Sequence, residues 1–166
     1  MIRKGDKVML TFRYAERKDC GLILAFIRAL AEYEKIPDQV AATEALLEHW
    51  IFDLRKAEVI FPCIDGKEVG YALFFHNFST LLGRAGINLQ DLFILPEYRG
   101  KGCGRAMMKM LAQSAAGRGC GRLEWRCLNS NKPGIDFYLS LGAEPMSDWT
   151  IYRMAGDTLM ELAKVP

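Results

Sequence analysis

The chain has 166 residues, of which 51% are hydrophobic and 25% charged, and this composition is typical of one globular domain, assigned to residues 1–166. The formal net charge of +2 is too small to favour nucleic acid or an acidic membrane surface as a partner. The amino-terminal segment MIRKGDKVML lacks the apolar core of a signal peptide. The apolar run over residues 22–30 is short and carries Arg28, so we expect no membrane span.

The chain contains five cysteines, and no two of them form a C-x-x-C pair. An odd number without paired spacing is unlike a disulfide framework, and it supplies no zinc-ligand pattern. We therefore predict reduced thiols, a cytoplasmic protein and no bound metal.

The first part of the chain predicts one strand and two helices. Alternating apolar residues predict a strand over residues 8–14. Asp19 is placed to cap a helix whose apolar residues recur at helical spacing and which ends near residues 36–38. A shorter helix is predicted over residues 43–52, with Thr43 as its cap. Three of its residues are expected to face inward: Leu46, Leu47 and Trp50.

A hairpin and a central strand follow. Apolar runs predict strands over residues 57–64 and 68–77, and the Asp-Gly-Lys sequence between them is typical of a hairpin turn. After a loop over residues 81–86, alternation predicts a strand over residues 87–95, which Pro96 ends because proline has no N–H to donate. Strict alternation would place five residues on one face: Ile87, Leu89, Asp91, Phe93 and Leu95.

Three alternate glycines connect this strand to a helix that begins at Gly102 and ends at residue 117 or 119. They are Gly100, Gly102 and Gly104. Glycines let backbone N–H groups approach an anion closely, and the first turn of a helix adds unpaired donors and a positive dipole end. Three cationic residues surround the same point: Arg99, Lys101 and Arg105. The loop therefore predicts a phosphate site.

The type of phosphate ligand is restricted by what the loop lacks. It has no Gly-Lys-Ser/Thr sequence, so it is not a P-loop, and Met107 stands where a dinucleotide fingerprint needs its third glycine. A Rossmann domain would not fit in the residues that follow. A flexible turn remains the alternative to an anion site.

The rest of the chain predicts a strand over residues 122–128, a helix over 132–140 and a last strand over 149–154. Pro133 is well suited to begin that helix, and Gly142 to end it. Strands with helices interspersed predict a mixed sheet covered by helices, in the α/β (α+β) class.

The pattern Arg99-x-x-Gly102-x-Gly104 after a strand resembles the pyrophosphate-binding signature of the GNAT acetyltransferase superfamily. The segment NSNKPGIDFYLSLGA, residues 129–143, resembles the second half of a GNAT domain, in which an Asn at a strand end opens a helix carrying Phe-Tyr. The sequences LAEYE…QV, LQD and YRGKGCG, together with the late Trp149, resemble the spermidine/spermine and thialysine N-acetyltransferase branch between residues 12 and 162.

The resemblance implies the fold and the co-substrate. It implies a GNAT fold with a mixed central sheet of about six to seven strands, whose splayed central strands form the acetyl-coenzyme A cleft. It also implies a small-molecule amine substrate and a homodimer. The residues that it places against the coenzyme are Phe93, Ile94, Leu95, Arg99, Gly100, Lys101, Gly102, Cys103, Gly104, Arg105, Asn131, Pro133, Phe137 and Tyr138.

The resemblance assigns catalytic roles as well. Tyr138 matches the tyrosine that the family uses as general acid toward the coenzyme sulfur, and the backbone N–H of Ile94 or Leu95 is expected to stabilise the oxyanion. The family's polyamine enzymes carry a Glu where this chain has Gln90, and an amide cannot accept the proton of the amine. We expect a water chain ending at Glu34 or Asp91 to act as base, with alternation placing Gln90 and Asp91 on opposite faces.

The acidic residues bear on substrate choice. Four of them are candidates for a negative trough that binds a cationic amine, or for an ordinary solvated surface: Glu32, Glu34, Asp38 and Asp91. Trp149 is expected either to wall the substrate pocket or to fill the core. The predicted substrate-binding residues are Glu34, Gln90, Asp91 and Trp149.

These observations predict an acetyl-coenzyme A-dependent N-acetyltransferase that acts on a primary amine of a small molecule, either a polyamine or diamine or a lysine-like amino acid. Two alternatives stay open. One is acetylation of another small amine. The other is an acyl-coenzyme A-binding sensor that has lost turnover, which Gln90 favours. A nucleotide-binding oxidoreductase is a more distant third.

Overall fold

The computed structural model of the protein describes residues 9–164. It contains two compact units, Met1–Asn131 and Lys132–Pro166, and the assignment of a single domain stays a prediction. Residue 8 of the predicted first strand lies outside the described residues. Within the described part of the chain, no helix is long and apolar enough to cross a membrane. All five cysteines are free thiols, as predicted.

The first unit is built on a six-stranded mixed sheet, in agreement with the predicted fold class. The strand order is β1-β2-β4-β5-β6, with β3 paired to β2; every pairing is antiparallel except that of β5 with β6. The strands are β1 Leu10–Tyr14, β2 Glu58–Ile64, β3 Lys67–Glu68, β4 Gly70–Ser79, β5 Arg84–Ile94 and β6 Leu123–Trp125.

Two turns connect these antiparallel strands. Asp65 and Gly66 both have positive φ, of 50° and 77°, as in a two-residue hairpin turn. The turn is one residue shorter than the predicted Asp-Gly-Lys turn, because Lys67 already belongs to β3. The second turn is shorter than expected, since β5 begins at Arg84 and takes up part of the predicted loop over residues 81–86.

Three helices accompany the sheet in this unit: α1 Cys20–Tyr33, α2 Glu44–Leu47 and α3 Cys103–Gly117. Thr43 caps α2 as predicted, because its side chain accepts a hydrogen bond from the Leu46 N–H at 3.2 Å. The chain then continues as a π-helix, Glu48–Asp53. Leu46 and Trp50 are 48% and 50% exposed, so the prediction that they face inward is wrong. The widened π turn displaces the helical spacing on which that prediction was based.

Asp19 stands at the start of α1 but does not cap it. Its carboxylate instead accepts hydrogen bonds from the Arg13 guanidinium at 2.7 and 3.0 Å and from the Glu16 N–H at 2.7 Å. The predicted cap is therefore replaced by an ion pair that joins β1 to the entry of α1.

The two faces of the sheet have separate cores. On one face, Val59, Phe61, Tyr71 and Phe93 pack with Phe26 and other residues of α1. In the register of β2 with β4, Ile60 and Phe74 alternate with Val59 and therefore point to the opposite face. Helix α3 buries its apolar residues on that face. These are Met107, Met108 and Leu111. We call the two sides the α1 face and the α3 face.

A β-bulge interrupts β5 in the middle. Leu89 lies opposite Phe74, but Asp91 lies opposite Leu73, so Gln90 is an extra residue without a partner position. Directly opposed residues share a face, and therefore Leu89 lies on the α3 face whereas Asp91 lies on the α1 face. The prediction that Leu89 and Asp91 share one face is wrong, and regular alternation cannot place Gln90 relative to Asp91 either. A bulge depends on the partner strand, which periodicity within one strand does not show.

The second unit contains α4 Lys132–Leu139 and α5 Gly156–Ala163. Helix α4 agrees with the predicted helix, and Gly142 after it has the positive φ of 85° typical of a helix end. Residues 149–154 form no strand, so the predicted last strand is absent from this chain. Their side chains are exposed, and an isolated strand without a partner has no hydrogen bonds to hold it.

Candidate active site

The parallel strands β5 and β6 separate in the middle of the sheet. Their pairing covers three positions and ends at Leu89 with Trp125, while β5 continues to Ile94 with only β4 beside it. The separation begins at the bulge residue Gln90, which is exposed. The splayed central strands that the resemblance implied are therefore present.

Beyond Leu89, where β5 is no longer paired with β6, successive backbone N–H groups of β5 point in opposite directions. The Leu95 N–H donates to the Val69 carbonyl at 2.9 Å, on the β4 side. Because successive N–H groups alternate along a strand, the Ile94 N–H points away from β4, toward the open edge. Leu95 is therefore excluded as a backbone oxyanion donor, and of the two predicted donors Ile94 remains. The side chains of Phe93 and Ile94 are buried, which leaves only their backbone for a ligand.

Two carboxyl groups meet on the α1 face beside this edge. Asp91 accepts a hydrogen bond from the Tyr71 hydroxyl at 2.9 Å. Glu34, the residue that ends α1, lies close enough to Asp91 for the negative charge of Asp91 to raise its pKa. Two of the three predicted catalytic residues are thus brought together.

Their environment raises the pKa of both carboxyl groups. Burial is the main cause for Asp91, and the hydrogen bond from Tyr71 opposes it. For Glu34 burial comes first, and the charge of Asp91 second. Burial also raises the pKa of the Tyr71 hydroxyl well above its usual range, so this hydroxyl stays protonated and donates. Titratable groups with shifted pKa values beside an open strand edge are typical of a functional site.

Cys127 extends this cluster beyond the end of β6. Its thiol is half-buried, and burial, followed by the charge of Glu34, raises its pKa. The thiol therefore stays neutral near neutral pH and lines the site without adding charge.

Arg99 connects the end of β5 to the end of α1. Its Nε donates to the Ile94 carbonyl at 2.8 Å, and its guanidinium lies 4.4 Å from the ring centre of Tyr33 and 5.3 Å from that of Phe93. The Tyr33 hydroxyl in turn donates to Asn131 Oδ1 at 3.1 Å. Arg99 and Asn131, both predicted coenzyme-binding residues, are therefore linked through Tyr33, the residue before Glu34.

The glycine loop opens onto the start of α3. Gly100 and Gly102 have positive φ, of 71° and 84°, and a Cβ atom at either position would meet nothing within 4 Å. Gly102 is the N-cap of the 15-residue helix α3, whose first turn has unpaired N–H groups. Lys101 lies over the Tyr98 ring at 5.4 Å. Cys103 is buried, which leaves only its backbone for a ligand, while its neighbours Gly104 and Arg105 continue the helix.

The four acidic residues of the proposed trough have different environments. Glu32 and Asp38 are exposed, as in an ordinary solvated surface, whereas Glu34 is half-buried and Asp91 more deeply placed. The electrostatic site is therefore the pair Glu34 and Asp91. Within residues 9–164, no group of three His, Cys, Asp or Glu side chains is arranged to hold a metal ion.

The remaining predicted site residues belong to the second unit. Pro133 lies in the first turn of α4, and Phe137 and Tyr138 follow on the same helix with ring centres 5.1 Å apart. Tyr138 is half-buried. Trp149 is 73% exposed, which excludes the alternative that it fills a core.

Sequence reasoning missed Tyr71 and Tyr33. Tyr71 occupies an inward position among apolar residues and is fully buried, so its pattern is that of a core residue. Tyr33 is part of the motif that resembles the family, but no role was assigned to it. Only the positions of partners distant in the chain, Asp91 and Asn131, reveal what their hydroxyl groups do.

A mixed sheet that splays beside a glycine loop at the start of a helix is the arrangement that the resemblance to acetyltransferases implied. Residues 23–143 match the Acetyltransferase (GNAT) family, and the chain belongs to this family. It is an N-acetyltransferase.

Known proteins of similar sequence and structure agree with this assignment. The chain is 38% identical to the thialysine N-epsilon-acetyltransferase of Bos taurus over 91% of its own length and 95% of that protein. It is 29% identical to the human spermidine/spermine N(1)-acetyltransferase-like protein 1, over 98% of this chain and 25% of that protein. The structure of an integron cassette protein from the mobile metagenome of V. cholerae superimposes with a TM-score of 0.79, at 28% identity, covering 94% of this chain and 98% of that one.

Proposed function

We propose that the protein transfers the acetyl group of acetyl-coenzyme A to a primary amine of a small molecule, a polyamine, a diamine or a lysine-like amino acid. The observation that carries the proposal is the Glu34–Asp91 pair beside the point where β5 separates from β6; Asp91 belongs to β5, the strand that leads toward the glycine loop. An anionic site of this kind suits an ammonium group, and the loop suits a pyrophosphate.

The residues of the first unit fit acetyl-coenzyme A. The open space in front of Gly100 and Gly102 admits a pyrophosphate close to the backbone, and the first turn of α3 offers donors to it. The open edge of β5 offers the backbone of residues 90–94 to the amide groups of a pantetheine arm. We assign Lys101 and Arg105 to the phosphates. Arg99 is already bound to the Ile94 carbonyl and packed on Tyr33, so we assign it to the shape of the loop as well.

Acetyl-coenzyme A would supply a thioester and a thiol leaving group. The substrate arrives as an ammonium ion, and the carboxyl groups of Glu34 and Asp91 bind it and take its proton. The freed lone pair then forms the new C–N bond while the Ile94 N–H stabilises the developing oxyanion. Tyr138 is proposed to give its hydroxyl proton to the departing sulfur and to regain one from solvent, while the nitrogen of the new amide loses its second proton to solvent. The chemistry needs no metal, and we propose none.

The substrate class rests on the acid pair and on similarity. A half-buried carboxylate pair favours an amine that is cationic at neutral pH over a neutral aryl amine. The similarity to a thialysine acetyltransferase supports a lysine-like amino acid, and that to a spermidine/spermine acetyltransferase-like protein supports a polyamine. Gln90 is no longer a reason to favour a coenzyme-binding sensor, because Glu34 and Asp91 provide two carboxyl groups in its place.

The test is thiol release from acetyl-coenzyme A with spermidine, putrescine, lysine, thialysine and small aryl amines. We expect turnover on a polyamine or a lysine-like amino acid, and a loss of about 100-fold in kcat for Tyr138→Phe. The control is Tyr152→Phe, which removes a hydroxyl that is 91% exposed in the same unit. Turnover only on aryl amines would reject the proposed substrate class, and coenzyme binding without turnover on any amine would reject the proposed reaction.

We further propose a cytoplasmic homodimer without nucleic-acid or membrane partners. The dimer is supported by the family resemblance and by large exposed apolar side chains, among them Leu81, which is 92% exposed, and Trp149, which is 73% exposed. The small net charge of +2 and the free thiols support the other expectations. Sedimentation velocity across a hundredfold concentration range tests the dimer, and a monomer at every concentration would contradict it.

A further inference from the structure

The two carboxyl groups of the proposed amine site differ in their partners. Asp91 Oδ2 accepts a hydrogen bond from the Tyr71 hydroxyl at 2.9 Å. The side chain of Glu34 has no hydrogen bond or ion pair among the described residues, and it stands at the carboxyl end of α1, where the helix dipole opposes a negative charge. One site therefore holds one carboxyl group that accepts a hydrogen bond and one that does not.

Tyr71 is well placed to maintain this difference. Its ring is fully buried and stacked on Phe26, with ring centres 5.7 Å apart and planes 8° apart. It lies opposite Phe93 in the strand register, so its hydroxyl reaches Asp91 diagonally across the α1 face. A ring that is fully buried and stacked in this way is held in place, and its hydroxyl has a fixed direction toward Asp91.

The geometry points to Tyr71 as a positioning residue: through its hydrogen bond it keeps Asp91 as the anion that binds the substrate ammonium, and it thereby leaves Glu34 as the group that takes the proton from the amine. The catalytic part of this inference rests on the proposed function. In the step itself, an N–H bond of the ammonium breaks and an O–H bond forms on Glu34. The amine lone pair forms the C–N bond as the C–S bond breaks, and the departing thiolate takes a proton from Tyr138. The new amide nitrogen then loses its second proton to solvent, Tyr138 regains one from solvent, and Glu34 releases its proton to solvent.

The charges that act on the pair agree with this division. The titratable groups that act on the cluster are Tyr71 on β4, Glu34 after α1 and Cys127 after β6. The Arg99 guanidinium lies beside them, on the rings of Tyr33 and Phe93. The charge of Asp91 raises the pKa of Glu34, whereas the Tyr71 hydrogen bond acts to lower that of Asp91. Where the environments of two neighbouring carboxyl groups separate their pKa values, the difference in pKa assigns one group as the anion and the other as the base.

The test compares Tyr71→Phe with the unchanged protein. Phenylalanine keeps the stacked ring and removes only the hydroxyl, so we expect the fold to persist. The acid limb of kcat/KM against pH should move to higher pH, and kcat/KM at pH 7 should fall about tenfold. Tyr14→Phe is the matched control, because the Tyr14 hydroxyl contacts Arg118 away from the acid pair.

A second readout does not depend on turnover. With the carboxyl carbons of Asp and Glu labelled with ¹³C, NMR titrations should show Asp91 titrating at higher pH in Tyr71→Phe. Asp91→Asn should shift the Glu34 titration to lower pH. Unchanged Asp91 titration in Tyr71→Phe, or unchanged Glu34 titration in Asp91→Asn, would overturn the inference. If the titrations move as expected while no amine is acetylated, the role of Tyr71 stands and the proposed function fails. If Tyr71→Phe does not fold, the Asp91→Asn titration still decides whether Glu34 responds to Asp91.

Discussion

The two halves of strand β5 have different surroundings, although their sequences are equally apolar. The first half, up to Leu89, lies between β4 and β6 and sends Ile87 and Leu89, both almost fully buried, to the α3 face. The second half has β4 on one side only, and it turns Asp91 toward the α1 face. The boundary is Gln90, the extra residue of the bulge. One inserted residue thus separates a structural segment from a functional one within the same strand.

The two halves of β5 differ in whether they can accommodate a polar side chain. In the first half every inward position is covered on both sides, and a carboxyl group there would have no partner. In the second half, beside the open edge, Tyr71 provides a partner for the carboxyl group of Asp91. This arrangement places a charge in a poorly solvated position beside Glu34. A site of this kind lowers stability for the sake of function, as is common for active sites.

The largest effect is expected from Glu34→Gln, which removes the proposed base next to the second half of β5. We expect kcat/KM to fall about 1000-fold, with loss of the acid limb of the pH profile. Steady-state kinetics from pH 5.5 to 9 would measure both. Glu32→Gln is the matched control, since Glu32 is exposed on α1 and should leave the kinetics unchanged. An equal loss in both variants would reject a specific role for Glu34.

Deletion of Gln90 would remove the boundary between the two halves. The deletion keeps Asp91 opposite Leu73 but removes the bend that a bulge introduces, so β5 would continue alongside β6 and close the edge. We expect acetyl-coenzyme A to bind about 100-fold more weakly, measured by calorimetry. Gln90→Ala, which keeps the number of residues, should lose at most about tenfold. Equal affinities of the two variants would show that the bulge does not shape the coenzyme site.

Arg99→Lys would loosen the end of the second half without changing its charge. Lysine cannot reproduce both the Nε hydrogen bond to Ile94 and the planar stacking on Tyr33. We expect the KM for the amine to rise about tenfold, because Tyr33 precedes Glu34 and its position would relax. Arg28→Lys, at an exposed position on α1, is the control. A change in coenzyme KM alone would assign Arg99 to the phosphates and not to the amine site.

Asp91→Asn should increase stability while it impairs the enzyme. Burial raises the pKa of Asp91 in the folded protein above its unfolded value, so ionisation opposes folding. The contribution of this group to stability is therefore present below the unfolded pKa and is lost as pH rises through the folded pKa. We expect the variant to exceed the unchanged protein by about 1 kcal/mol in free energy of unfolding at pH 7 and to match it at pH 3.5. Urea unfolding at the two pH values measures the difference, and a variant less stable at pH 7 would contradict it.

The smallest effect is expected from Gln90→Glu. It restores the carboxylate that the family's polyamine enzymes carry, but Gln90 is exposed, and we propose that the pair on the α1 face already serves as base and anion. We expect kcat/KM at neutral pH to change less than about threefold. A clear increase would show instead that the chain lacks an efficient base, and would weaken the roles assigned to Glu34 and Asp91.

The features that depend on only a few neighbouring residues could be predicted from the sequence alone. The glycine loop, its left-handed Gly100 and Gly102, the start of α3 and the Asp65-Gly66 turn were all predictable, because backbone conformation there depends on local residue type. The order of the strands in the first 128 residues and the family resemblance followed from patterns of the same local kind. They sufficed to place Glu34 and Asp91 among the candidates.

Only the tertiary structure decided how those candidates act together. The face that Asp91 occupies depends on the register between β5 and β4, and its partner Tyr71 lies 20 residues away in the chain. The loss of Leu95 as an oxyanion donor and the engagement of Arg99 with Tyr33 likewise arise from contacts between separate elements. The absent strand over residues 149–154 has the same cause, since a strand needs a partner that its own sequence does not specify. Periodicity describes one segment at a time, whereas pairing between strands is a property of two segments, and the active site of this protein is made at such a pairing.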